Sequence, residues 1–254
     1  RVVYVKAPYQ FEIREVEMPV PGEHELLLDV RACAVCGTDM HTAANEAEDF
    51  LSFGHEIAGV IVEAGPGVKG YEPGQKVVIE SCTYCHTCEN CRNGRVDLCE
   101  NGLSILDDFE ISGYSDYMIV PEQAVVPFEG LTFAEASIAE PLGVALDLFY
   151  TTGIELNDDV AVVGLGPIGL MTIALAKAAG ARNIYAIQRS GRSKARIELA
   201  EKLGATVILT SETNLEEYPF PRGGVNKIMV TAAPRVIPDM MKIAAFGGII
   251  SFLG

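Results

Sequence analysis

Four thiols crowd into one short stretch of the chain: Cys85, Cys88, Cys91 and Cys99. Two residues separate each of the first three, and seven separate the third from the fourth. Two-residue gaps turn successive thiolates inward on one tight loop, and Gly94 lets the backbone swing round to deliver Cys99. This spacing matches a closed tetrahedral zinc site, whose four soft ligands leave no position for a substrate. Such a site staples a lobe, here about residues 82–99, so any chemistry must lie elsewhere. Cys82 is close enough in sequence to compete as a ligand, but the spacing favours Cys85, Cys88, Cys91 and Cys99. A disulfide framework fits poorly, because the chain has 254 residues and an odd number of cysteines, 7, whereas such frameworks belong to small secreted domains. Residues 1–6 carry no long apolar run of a signal peptide. Abundant thiols without disulfide logic lead to the expectation of a cytoplasmic protein.

The chain carries 35 acidic and 19 basic residues, for a net charge of −16. That field repels nucleic acid and anionic membranes, which disfavours a zinc-ribbon nucleic-acid module. The hydrophobic fraction of 49% is enough for ordinary cores, and no apolar stretch reaches membrane-spanning length before a Gly, Pro or charge breaks it.

Two halves follow different rules. Residues 1–150 read as β-rich, with short runs at 25–30, 59–63 and 76–80 set apart by the turn signals Pro21 and Gly22, Gly65 to Gly67, and Pro73 and Gly74. Many short strands with non-helical connections predict a compact barrel-like domain. Residues 151–254 alternate strands (159–163, 183–187, 206–210, 227–231, 248–252) with helices (168–179 and 193–203), the pattern of a doubly wound parallel sheet. Gly164, Gly166, Pro167, Ile168 and Gly169 lie where the first of these strands gives way to a helix. In that context the glycines suit a dinucleotide: one for the turn, one for backbone approach to the pyrophosphate, one for helix–strand packing. An acid is expected at the end of the next strand to hold a ribose hydroxyl. Gln188 stands there instead, followed by Arg189 and Arg192, which favours NADP over NAD, although a solvated basic turn with Ser193 as helix cap has the same pattern.

A second metal-ligating set lies in the β-rich half. Cys36 and His55 can hold zinc with a carboxylate as third ligand and water as fourth, the open arrangement of a Lewis-acid site. Taken one by one, these residues are also ordinary packing or surface groups.

Cys36 to Asp39, Gly54 to Glu56, the four-cysteine lobe and Gly164 to Gly169, in that order, resemble the zinc-dependent medium-chain alcohol dehydrogenase family over essentially the whole chain. The resemblance implies a GroES-like catalytic domain followed by a Rossmann domain. It implies Cys36 and His55 as catalytic-zinc ligands and Glu56 as a close, sometimes bound, carboxylate. Where many simple alcohol dehydrogenases carry Cys as third ligand, this chain has Glu140, a pattern similar to the sorbitol, threonine and polyol dehydrogenase branch. Glu140 then ligates zinc directly or through its water. By the same resemblance Thr38 takes the alcohol proton, His41 relays it to solvent, and Asp39 orients His55. The cofactors expected are two zinc ions per chain and NADP or NAD. The partner expected is a small alcohol or its ketone, chiefly a secondary, polyol or sugar-derived alcohol. The family sheet has a sixth strand that commonly forms the subunit contact, whereas only five are found here. This leads to the expectation that the C-terminus is truncated and that the full-length protein is a homo-oligomer. A non-catalytic relative that keeps the zinc staple and nucleotide fold, acting as a sensor or assembly partner, is the alternative. Metal analysis of the purified protein is expected to find about two zinc ions per chain, one for each ligand set; a count near one removes one of the two sets.

Overall fold

A computed structural model describes residues 1–253. They form two compact units, Arg1–Glu140 and Pro141 onward. The first unit contains β1 (Val2–Lys6), β2 (Gln10–Arg14), β3 (Glu25–Ala34), α1 (Gly37–His41), β4 (Leu51–Ser52), β5 (Glu56–Ala64), β6 (Lys76–Ile79), α2 (Glu89–Arg92), β7 (Tyr117–Pro121), β8 (Val125–Pro127) and α3 (Phe133–Ala136). Strands β7-β3-β5-β6-β8 make an antiparallel sheet, and β2-β1-β4 make a smaller one. The large sheet wraps a core of Leu26, Leu28, Ile57, Ile61, Val77, Ile79, Met118 and Val120. The small sheet has no counterpart in the sequence reading; β2 alternates polar and apolar residues from Gln10 to Arg14 but is exposed along its whole length.

One register positions the chemistry. β3 pairs with β5 so that Cys33 faces Ile57 and Ala34 faces Glu56. Cys36, two residues beyond the end of β3, therefore emerges beside His55, which immediately precedes β5. A slip of one residue would send these side chains to the opposite face.

The second unit holds most of α4 (Ala139–Thr152), then β9 (Asp159–Val163), α5 (Pro167–Ala178), β10 (Asn183–Gln188), α6 (Lys194–Lys202), β11 (Thr206–Leu209), β12 (Val225–Val230), α7 (Ile237–Ile243) and β13 (Ala244–Phe252). Its sheet runs β11-β10-β9-β12-β13, all parallel, the Rossmann order through five strands. β9 is buried at every residue because it is the central strand. Its alternate residues feed two cores: Val160 and Val162 pack with Leu148, Ile173 and Ala176, while Ala161 and Val163 pack with Met240 and Ile243. The boundary falls at residue 140 rather than at the expected 150. The body of α4 belongs to the later core through Leu148, and Lys227 Nζ donates to its Thr152 carbonyl at 3.3 Å. No helix among the described residues is long and apolar enough to cross a membrane.

The N-terminal end of β9 is tied by Asp159, which is fully buried. It accepts from Arg182, from Asn183 Nδ2 at 2.7 Å and from Arg222 at 3.2 Å. Burial by itself raises its pKa, but the donors outweigh burial and hold it below the ordinary carboxylate range. The carboxylate therefore stabilises the fold at neutral pH, and that contribution is lost as pH falls through the depressed folded-state pKa. Asp159→Asn is expected to destabilise the chain by about 2 kcal/mol, the range for a hydrogen bond to a charged group. In urea melts at several pH values the gap between variant and parent should narrow on acidification.

Candidate active site

Cys36 caps the N-terminus of α1 in extended conformation. Asp39, three residues on, folds back so that its Oδ2 accepts the Cys36 N–H at 2.9 Å. The same oxygen lies 3.0 Å from the Tyr114 hydroxyl, whose proton is shared with the Ala34 carbonyl at 2.9 Å. Asp39 is 3% exposed, and its Oδ1 lies 3.7 Å from His55 Nδ1, too far for a hydrogen bond. His55 Nδ1 is buried without a hydrogen-bond partner. Small movements of the imidazole would let Asp39 accept its N–H, the arrangement that orients a metal-bound histidine.

Cys36, His55 and Glu56 bring one ligand atom each within 4.8 Å of one another. A sulfur, an imidazole and a carboxylate at that spacing match a three-ligand zinc site with an open fourth position. The local charges point the same way. His55 is pushed up in pKa, chiefly by its hydrogen bond with Cys36. Glu56 is pushed up by burial and then by the negative charge of Glu140. Buried acceptors crowded together in this way gain from a shared cation.

Glu140 does not join that cluster. Its Oε1 accepts from the Ser81 hydroxyl at 3.0 Å, so three of the four expected residues lie in the cluster and Glu140 lies outside it. Thr38 is exposed, with its hydroxyl 3.7 Å from Cys36 Sγ. His41 is exposed and its Nδ1 lies 3.0 Å from Glu46 Oε1. Sequence reasoning missed Tyr114 and Ser81: Tyr114 lies 75 positions from Asp39, and Ser81 lies 59 from Glu140. No short-range pattern marks such partners.

In the lobe, Cys85, Cys88, Cys91 and Cys99 place their sulfurs within 4.8 Å of one another. A tetrahedron with zinc–sulfur bonds of about 2.3 Å needs sulfurs roughly 3.8 Å apart, so the set fits. Backbone N–H groups already point at the sulfurs, from Cys85 to Cys99 at 3.2 Å and from Cys88 to Cys85 at 3.3 Å. The Thr87 hydroxyl and then the Cys88 N–H pull Cys85 down to about 5. Burial and the neighbouring Cys88 and Cys99 push Cys91 up to about 12. Four thiolates this close need a divalent cation to ionise together. Cys82 lies outside the cluster.

The second unit carries the nucleotide loop. Gly166 caps α5 without a side-chain cap, which leaves the helix amides and the positive helix end free for an anion. A Cβ on Gly166 would meet nothing within 4 Å, so there is room for a ligand, whereas one on Gly169 would fall 2.0 Å from the Gly164 carbonyl oxygen. Pro167 and Ile168 form the first turn of α5. Thr231, also missed from sequence, has its hydroxyl 3.0 Å from the Gly164 carbonyl and 3.1 Å from that of Val163, which fixes the start of the loop. A cavity of about 750 Å³ opens past the carboxyl ends of β9, β10 and β12, lined in part by Gly164, Gln188, Arg189 and Arg235. Open α/β sheets bind nucleotides at this switch point. Gln188 does not face it freely, because its Oε1 accepts from the Leu165 N–H at 3.2 Å. Arg189 and Arg192 are exposed.

A closed zinc lobe and an open metal site on one β-rich unit, with a nucleotide loop on the next, define a zinc- and NAD(P)-dependent dehydrogenase. The profile described as alcohol dehydrogenase GroES-like domain matches residues 22–130, and that of zinc-binding dehydrogenase matches residues 167–254. L-threonine 3-dehydrogenase of Pyrococcus abyssi is 32% identical over 278 residues, which cover 100% of this chain and 75% of that protein. A structure described as a zinc-binding dehydrogenase of Sinorhizobium meliloti 1021 bound to NADP superposes with a TM-score of 0.89 at 30% identity, covering 100% of this chain and 76% of that one. 2R,3R-butanediol dehydrogenase from Bacillus subtilis gives a TM-score of 0.84 at 26% identity, covering 100% and 78%. The chain belongs to the zinc-dependent medium-chain dehydrogenase family and is an alcohol oxidoreductase.

Asp39→Asn keeps the size of the side chain but removes its charge. It is expected to weaken zinc binding at Cys36, His55 and Glu56 by about 10- to 100-fold. Competition with a chelator measures this, and the lobe zinc serves as internal control.

Proposed function

We propose that the chain oxidises a small secondary alcohol with a neighbouring polar substituent, a polyol or an amino alcohol, or reduces the matching ketone. The carrying observation is the cluster of Cys36, His55 and Glu56 within 4.8 Å, with the Thr38 hydroxyl 3.7 Å from Cys36 Sγ. The relatives' names support the substrate class, since threonine at carbon 3 and 2,3-butanediol are both secondary alcohols beside a second polar group. The chain has no Trp and only 7% aromatic residues, in keeping with a pocket for a small polar substrate.

Cys36, His55 and Glu56 hold the zinc, which when bound supplies Lewis-acid polarisation to an alcohol oxygen. Gly164, Gly166 and Gly169 would hold the pyrophosphate of a nicotinamide cofactor, which when bound would supply the hydride acceptor. Thr38 takes the proton from the alcohol, and exposed His41 passes it to solvent. Asp39 fixes Cys36 and the imidazole of His55 so that the ligands are set before substrate arrives.

We favour NADP. With its amide oxygen bound to the Leu165 N–H, Gln188 keeps only its Nε2 donors for a ligand. Arg189 lines the same cavity. The acids that line this cavity, Glu216 and Asp239, are paired with Lys242, and donors without an acid at the end of β10 suit a ribose 2′-phosphate better than a ribose hydroxyl.

Reduced-nicotinamide absorbance, with simple alcohols, polyols and amino alcohols against NAD and NADP, tests the reading. The strongest turnover is expected with a polyol or amino alcohol and NADP; turnover confined to simple primary alcohols rejects the substrate class. Cys36→Ser is expected to lower turnover by more than about 100-fold, beyond the effect of a supporting contact, while the lobe keeps its zinc. Full turnover in that variant rejects the site.

A further inference from the structure

Ser81 follows β6, and its backbone is pinned. Its carbonyl accepts from the Ile105 N–H at 2.9 Å, and the Glu80 N–H beside it donates to the Ala124 carbonyl at 2.8 Å. From this fixed point the half-buried Ser81 hydroxyl donates to Glu140 Oε1 at 3.0 Å. Glu140 lies at the start of α4. Its charge acts on both His55 and Glu56, yet its oxygens are not part of the three-ligand cluster. A carboxylate within electrostatic reach of an open metal site would be drawn to ligate it unless something restrains it.

We propose that Ser81 is a positioning residue that holds Glu140 off the metal, so that the fourth coordination position stays open for the substrate oxygen. This rests on the reading that Cys36, His55 and Glu56 hold the catalytic zinc. The physical argument is competition for lone pairs. A hydroxyl donated to a carboxylate is a charge-assisted hydrogen bond, stronger than a neutral one. It engages one carboxylate oxygen and fixes the rotamer from a rigid strand end. Without it Glu140 becomes a fourth protein ligand, and a site closed by four ligands has the character of a structural centre rather than a catalytic one.

The test uses the purified protein with cobalt exchanged for zinc, so that the visible absorption bands report coordination directly. Ser81→Ala is expected to change the cobalt spectrum, tighten metal binding by on the order of 10-fold and raise KM for the alcohol more than it lowers kcat. Ser81→Thr keeps a hydroxyl and should restore the parental spectrum. The double variant Ser81→Ala with Glu140→Gln should also return to it, because the amide is a poor ligand. A Ser81→Ala protein with parental spectrum and metal affinity overturns the proposal, as does a spectral change that persists in the double variant. Glu140→Gln alone, which keeps an acceptor for Ser81, decides the matter should Ser81→Ala fail to fold. An unchanged cobalt spectrum supports the restraint, and loss of metal or a changed spectrum makes Glu140 a native ligand and overturns it. Cys36→Ser, assayed for metal in parallel, separates this failure from that of the site itself: if that variant keeps two metals per chain, the three-residue site is wrong.

Discussion

Asp39 accepts the Cys36 N–H and shares the Tyr114 proton on one oxygen, while its other oxygen faces the buried Nδ1 of His55. Three parts of the first unit, the turn after β3, the segment before β7 and the start of β5, therefore converge on one carboxylate that is nearly inaccessible to water. Burying a charge is costly unless donors surround it. Here the donors are the groups that set the metal site, so the site and its support are stabilised together. Tyr114 belongs to this arrangement as a protonated phenol: burial and the charge of Asp39 both push its pKa well above the ordinary range.

The second unit uses the same device for a different purpose. Asp159 is buried at the opposite end of β9 from the glycine loop, and Arg182, Asn183 and Arg222 converge on it. It anchors the central strand whose carboxyl end carries Gly164. Thr231 then ties the end of β12 to the Gly164 and Val163 carbonyls. The loop thus starts from a fixed position, and its amides do not have to be organised by the ligand. Preorganisation of this kind lowers the entropy lost on binding.

Much of this was legible in the chain. Strands β9, β10 and β11, helices α5 and α6, and the glycine loop have strong local signals, and the structure places each within a residue or two of its expected bounds. The four lobe cysteines also sit together as their spacing requires, since only a short loop connects them. Glu140 and Gln188 are the instructive departures. Their identities mark them as site residues, but their partners, the Ser81 hydroxyl and the Leu165 N–H, redirect what their side chains do. The division near residue 140 was hidden for a similar reason. α4 falls in the stretch read as β-rich, and nothing in its sequence says which core its middle will join.

The sequence by itself determined the four-cysteine metal set, the dinucleotide loop and the α/β character of the later half. Each depends on groups a few residues apart, whose relative placement a turn, a strand or one helical repeat already dictates. Tertiary structure alone decided that Cys36, His55 and Glu56 meet while Glu140 stands aside, that Asp39 is shared with Tyr114, and that Thr231 secures the nucleotide loop. Those contacts join positions tens of residues apart. Sheet register and side-chain competition for hydrogen bonds select them, and neither is expressed in any local pattern.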